Sequence, residues 1–165
     1  MDPVCIKAFV TSIRSVFATM FKIDVQIGTP QIKSSPTASY DISGIIGMSG
    51  DVAGLVVISF PVATAEKVVA ALTGTQIKSD HPDFADAIGE LANMVSGGAK
   101  ALFGGTNAAI TCPSVISGKD HVVRTPRDTP CIAIPCTTSC GEFMIEVAIR
   151  FNKAVTIEPT AQAAA

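Results

Sequence analysis

The sequence predicts a mixed α/β (α+β) domain with its segments in the order α-βββ-αα-βββ. Three observations carry this. Apolar residues recur at helical spacing over residues 3–22 and 82–103, two β-rich runs flank a short turn at 49–51, and residues 142–152 alternate, with Phe143, Ile145, Val147 and Ile149 on one face and Met144, Glu146, Ala148 and Arg150 on the other. The chain has 165 residues, 48% of them hydrophobic and 16% charged. That suits one domain with its own core and excludes a disordered class.

Each element has a local reason. In residues 3–22 the apolar positions Val4, Ile6, Phe9, Val10, Ile13, Val16, Phe17, Met20 and Phe21 share one side of a helix, and Pro3 fits its first turn. Asp2, Lys7 and Arg14 interrupt any signal-peptide core. Residues 25–33 favour strand, but Pro30 places them at an edge or a bulge. Residues 40–49 and 52–60 form a hairpin across Ser49-Gly50-Asp51. The near-continuous apolar run Gly54-Leu55-Val56-Val57-Ile58-Ser59-Phe60 makes its second arm a central strand covered on both faces. Pro61 ends that strand, and residues 64–72 form a helix stopped by Gly74. Pro82 and Asp83 open the longest helix, expected to run to about 103 and to end at Gly104-Gly105. Strands are expected at 108–117, 130–138 and 142–152, with residues 118–129 as a polar loop. Residues 1–153 then form the domain and 154–165 an Ala-rich tail.

Composition removes several function classes. Twelve Lys and Arg face fourteen Asp and Glu with no basic block, and Trp is absent, so nucleic acid is not the expected partner. Mean hydropathy is +0.45, yet no run of about 18 uninterrupted apolar residues occurs, so no membrane span is expected. The five cysteines, Cys5, Cys112, Cys131, Cys136 and Cys140, are odd in number and lack a CxxC. They read as reduced, buried thiols of a cytoplasmic protein. With only His81 and His121 available, no metal site is expected.

The informative segment is residues 86–93. At about 100° per residue, Asp86, Glu90 and Asn93 fall within an arc of about 60°. Phe84, Ile88, Leu91, Val95, Ala99 and Leu102 cluster on the opposite side. Gly97 lies beside the polar set, where the lack of a side chain lets another surface approach, at a cost of about 1 kcal/mol in helix stability. Acids and amides occupy the wet face of most helices, so spacing alone leaves a plain solvated face as the alternative. No Ser/His/Asp set, Cys/His pair or phosphate-binding glycine loop competes with it.

Ile88-Gly89-Glu90-Leu91-Ala92-Asn93-Met94 resembles the signature helix of the CheC/CheX/FliY chemotaxis phosphatases, most closely the CheX branch. Asp86, Glu90, Asn93 and Pro113 match the positions of that signature in order. The hairpin at 45–60, the helix at 65–74 and the strand entry at 110–118 are similar to the family's, so the likeness spans residues 2 to about 153. The first helix carries Arg14 and Ser15 but no Glu-x-x-Asn, which favours the single-signature CheX branch over CheC. The resemblance implies long helices packed on a mostly antiparallel sheet.

It also implies a function: hydrolysis of the aspartyl phosphate of a CheY-type response-regulator receiver domain in chemotaxis or two-component signalling. Asn93 would orient the in-line water and Glu90 would pair with a receiver lysine, with Asp86 and Gly97 on the partner-binding surface. No cofactor is expected on this chain, since Mg²⁺ comes with the receiver, and a homodimer is expected. Two rivals remain: a module that binds a receiver without catalysis, and a cysteine hydrolase using Cys112 or Cys136, for which no His stands in an obvious partner position.

Overall fold

A computed structural model describes residues 3–157. The chain opens with α1 (Pro3–Val16), which continues as a single π-helical turn, Phe17–Phe21, closed by Lys22 in the left-handed conformation at φ 57°. Two short strands follow, β1 (Gln26–Ile27) and β2 (Gln31–Ile32), then the hairpin β3 (Ile42–Gly50) and β4 (Val52–Phe60). After these come α2 (Val62–Thr73), α3 (Pro82–Ala101), β5 (Phe103–Gly104), β6 (Ala108–Ile110), β7 (Ser114–Ser117), β8 (Ile132–Thr138), β9 (Gly141–Phe151) and β10 (Thr156–Ile157).

The main sheet runs β1-β8-β9-β4-β3-β6, with β2 also on β8 and β7 also on β3. Its pairings are antiparallel. β4 is central, between β9 and β3, as its apolar run requires. Period-2 alternation sends Val56, Ile58 and Phe60 with Phe143, Ile145 and Val147 into one core beneath the helices. Phe143 stacks between Phe17 and Phe60, with ring centroids 5.3 and 5.2 Å apart.

The stretch Pro3–Phe21 is long and apolar enough to cross a membrane by length and composition. Its stripe of Cys5, Ala8, Phe9, Ile13 and Phe17 is wholly buried against the core, as in an amphipathic helix of a packed domain.

Four boundaries differ from the sequence reading. The strand expected at 25–33 is broken in two, because Gly28-Thr29-Pro30 leaves the ladder; both pieces stay on the sheet edge beside β8. The long helix ends at Ala101, before Gly104-Gly105, because Phe103 turns into the core between Phe9 and Phe151 and pairs with Ile157. That pairing puts Thr156–Ile157 in a strand within the stretch read as tail, of which residues 158–165 lie outside the described ones. The strand expected at 108–117 is interrupted at Thr111-Cys112-Pro113.

The sheet face away from the helices is partly roofed by the loops 33–41 and 118–129. They bridge at Thr37 and Val122, and Ala38 N–H donates to His121 O at 2.9 Å. Beneath them Glu146, only 3% exposed, meets Lys33 at 2.5 Å and accepts from Ser39 Oγ at 2.7 Å. A buried carboxylate on this face is tolerable because it is paired and hydrogen-bonded.

Candidate active site

The site is built on α3, whose start is fixed locally. Pro82 occupies the first turn, His81 Nδ1 accepts from Asp83 N–H at 3.1 Å, and the Asp83 carboxylate sits at the positive end of the helix dipole. Phe84, Ile88, Leu91, Val95 and Ala99 are buried, each no more than 1% exposed. Three close approaches hold the helix. A Cβ on Gly44 of β3 would stand 3.0 Å from Ala92 Cβ, and one on Gly98 would stand 2.3 Å from Ser12 Oγ of α1. The third is at Gly89, where a Cβ would stand 3.2 Å from Pro113 Cγ.

On the opposite side of the helix Asp86 and Glu90 are exposed, and Asn93 and Gly97 are half-buried. Asp86 to Asn93 spans about 10 Å of helix axis at 1.5 Å per residue. Among the described residues, no hydrogen bond or ion pair ties up the side chains of Asp86, Glu90 or Asn93. They are thus displayed by a rigid helix without being consumed by the fold. An open hollow of about 270 Å³ lies beside them, lined by Ala85, Asp86, Gly89, Glu90, Pro113 and Val115. One wall carries two carboxylates and the other is apolar. Asn93 stands one turn further along, outside that lining.

The structure therefore brings Pro113 to Asp86 and Glu90 across about 25 residues of chain, by folding β6 and β7 onto the edge of β3. The sequence reading missed Gly89 and Val115. A glycine inside a helical pattern is itself a signal of close backbone approach, and Gly89 is the one that Pro113 covers. Gly97 is open: an added Cβ there would meet only Ile110 Cδ1, at 4.0 Å, whereas its neighbour Gly98 makes the tight helix crossing.

The cysteine alternative has poor chemistry. Cys136 is 1% exposed, its Sγ points at Ile134 O, and burial pushes its thiol up to about 12. A thiol so held offers little thiolate near neutrality. Cys131 is likewise raised by burial to about 11. Two cysteines depart from the buried thiols expected: Cys140 is half-buried, and Cys112 is exposed because it lies in the interruption between β6 and β7. His81 is engaged at the N-cap of α3 and His121 bonds Gly118 O and Ser43 Oγ, each at 2.8 Å. Among the described residues, no group of three or more His, Cys, Asp or Glu converges as a metal site.

Known proteins share this fold. The family described as Chemotaxis phosphatase CheX matches residues 42–137, which include the hairpin, α3 and Pro113. The CheY-P phosphatase CheX of Thermotoga maritima is 31% identical over 127 residues, covering 75% of this chain and 82% of that protein. The crystal structure of a chemotaxis protein CheX from Desulfovibrio desulfuricans superposes with a TM-score of 0.78 at 34% identity, over 89% of this chain and 98% of that one. CheX in the CheX-CheY-BeF3-Mg+2 complex of Borrelia burgdorferi shares the fold, with a TM-score of 0.71 at 23% identity over 88% of this chain and 97% of that one. The segment order, the antiparallel sheet and these matches agree: the chain belongs to the CheX family of chemotaxis phosphatases.

Proposed function

We propose that this chain hydrolyses the aspartyl phosphate of a CheY-type receiver domain, with Asn93 orienting the attacking water and Glu90 docking on a receiver lysine. The observation that carries the reading is the pair itself. Glu90 and Asn93 project, unpartnered within the described chain, from the solvent side of a helix whose other side is locked into the core. The relative from Thermotoga maritima is named for action on CheY-P, and the Borrelia burgdorferi fold neighbour is a CheX assembled with CheY.

The chemistry asks little of the protein beyond position. An acyl phosphate is already reactive, so acceleration comes from holding a water in line with the breaking P–O bond. The Asn93 amide oxygen accepts from that water, while its NH₂ donates nearby. An amide is no base, so its role is orientation. The Glu90 carboxylate gives the docked receiver a charged anchor three residues away, and Asp86 lies on the rim of the same face. The receiver supplies the phosphoryl group and its Mg²⁺. A cytoplasmic location and a homodimeric state belong to the same reading.

The test is the rate of phosphate release from a cognate phosphorylated receiver with and without this chain. Acceleration at substoichiometric chain supports catalysis. Binding without acceleration identifies a receiver-holding module instead.

A further inference from the structure

The signature accounts for Glu90 and Asn93, but not for the residue between the core stripe and Glu90. Gly89 sits in mid-helix, where glycine is a poor choice unless space demands it. It lies on the same side of α3 as Asn93 and is nevertheless buried, because the ring of Pro113 lies on it. A Cβ at this position would stand 3.2 Å from Pro113 Cγ, 3.4 Å from Pro113 Cβ and 3.7 Å from Val115 Cγ2.

Pro113 has little freedom to retreat. Met48 pairs with Ile110 and Ile45 with Ser114, so Ile46 and Gly47 of β3 face Thr111, Cys112 and Pro113: a one-residue bulge. The bulge is tied down at both ends. Thr111 N–H donates to Gly47 O and Gly47 N–H donates to Thr111 Oγ1, both at 2.9 Å, while Ser114 re-enters the ladder opposite Ile45. The bulge thus aims Pro113 across the strand edge at α3, and Gly89 is the only lining residue of the hollow without a side chain.

We propose that Gly89 is a positioning residue for receiver docking: it seats Pro113 against α3, and this contact sets the depth of the hollow beside Glu90. The inference rests on the function proposed above. Adding one methyl at residue 89 lifts the Pro113 wall by a few tenths of an ångström while Glu90 and Asn93 keep their places on the helix. The penalty then falls on docking rather than on the chemical step.

The experiment is steady-state phosphate release from the phosphorylated receiver by wild type, Gly89→Ala, Pro113→Ala and the double variant. Affinity for a receiver loaded with a phosphoryl mimic is measured in parallel. Gly89→Ala is expected to raise KM about tenfold with kcat within about twofold, since sub-ångström misplacement at a docking surface costs rate through binding. The double variant lacks the ring carbon nearest the new methyl and should bind more tightly than Gly89→Ala alone; a general loss of stability would instead lower apparent kcat through a smaller folded fraction and leave KM unchanged. An active wild type with KM and affinity unchanged in Gly89→Ala overturns this inference alone, as does a fall in kcat at constant KM. A wild type that accelerates nothing removes the proposed function and this inference with it.

Discussion

Replacing Gly98 by Ala sets two physical effects of opposite sign against each other. In a helix interior Ala is favoured over Gly by about 1 kcal/mol, so propensity alone predicts a more stable protein. Packing predicts the reverse. The new Cβ would fall 2.3 Å from Ser12 Oγ and 3.3 Å from Ser12 Cβ. Ser12 is 3% exposed, and its hydroxyl donates to Val95 O at 2.7 Å across the α1–α3 contact. To make room the hydroxyl must rotate away and lose that bond while still buried, which costs about 1–3 kcal/mol. The remaining carbon–carbon crowding adds an overpacking cost of about 1 kcal/mol or more. The net expectation is destabilisation of about 1–3 kcal/mol after the propensity gain is subtracted. Urea denaturation with unchanged slope measures it directly. Ser12→Ala in the Gly98→Ala background removes the oxygen at issue and should recover about 1 kcal/mol or more. A Gly98→Ala protein as stable as wild type or more so would refute the claim that this crossing holds the site helix in place.

Glu90→Ala should weaken binding to a phosphoryl-mimic-loaded receiver and slow hydrolysis together, while shifting stability by less than about 1 kcal/mol, because the side chain is exposed; equal receiver affinity in calorimetry would contradict the docking role. Thiol labelling of the native protein at neutral pH should modify Cys112 readily and leave Cys131 and Cys136 untouched, since burial holds their thiols at about 11 and about 12; rapid native labelling of Cys136 would contradict the buried assignment. The same two thiols give a pH dependence. Their folded values lie above the ordinary 9.0, so between about 9 and 12 the native state holds more protons than the unfolded one. Stability should therefore fall as pH rises through that window, and denaturation midpoints that rise from pH 9 to 11 would contradict it. Light scattering at micromolar concentration should give twice the 17.0 kDa chain mass; the mass of one chain would remove the homodimer.

The hairpin, the long helix and the split of α3 into buried and displayed sides were readable because they are local. A period of 2 or 3.6 in apolar residues needs no knowledge of the rest of the chain. The Asp86, Glu90 and Asn93 face followed from that period, and the family resemblance gave it a chemical meaning. What escaped depends on contacts distant in sequence. The seat of Pro113 on Gly89 requires the bulge opposite Ile46 and Gly47; Pro113 itself marks a break within 108–117, as Pro30 does in 25–33, but no local pattern says that its ring packs on Gly89. The helix stops before its glycines because Phe103 has partners at Phe9 and Phe151. Glu146 alternates onto what looks like a wet face, and only the return of Lys33 and Ser39 over the sheet makes it a buried, paired acid.

The central claim is that Asn93 acts on the chemistry rather than on docking, and the most direct test is a paired measurement on Asn93→Ala. The two quantities are phosphate release from the phosphorylated receiver and affinity for the same receiver carrying a phosphoryl mimic. The substitution removes one half-buried amide and leaves Glu90, the hollow and the buried stripe of α3 in place. Release should drop to nearly the receiver's own rate, while affinity stays within about threefold, as when an interaction made only in the transition state is lost. A folded Asn93→Ala protein that releases phosphate at the wild-type rate would contradict the mechanism and leave this helix face as a receiver-binding surface.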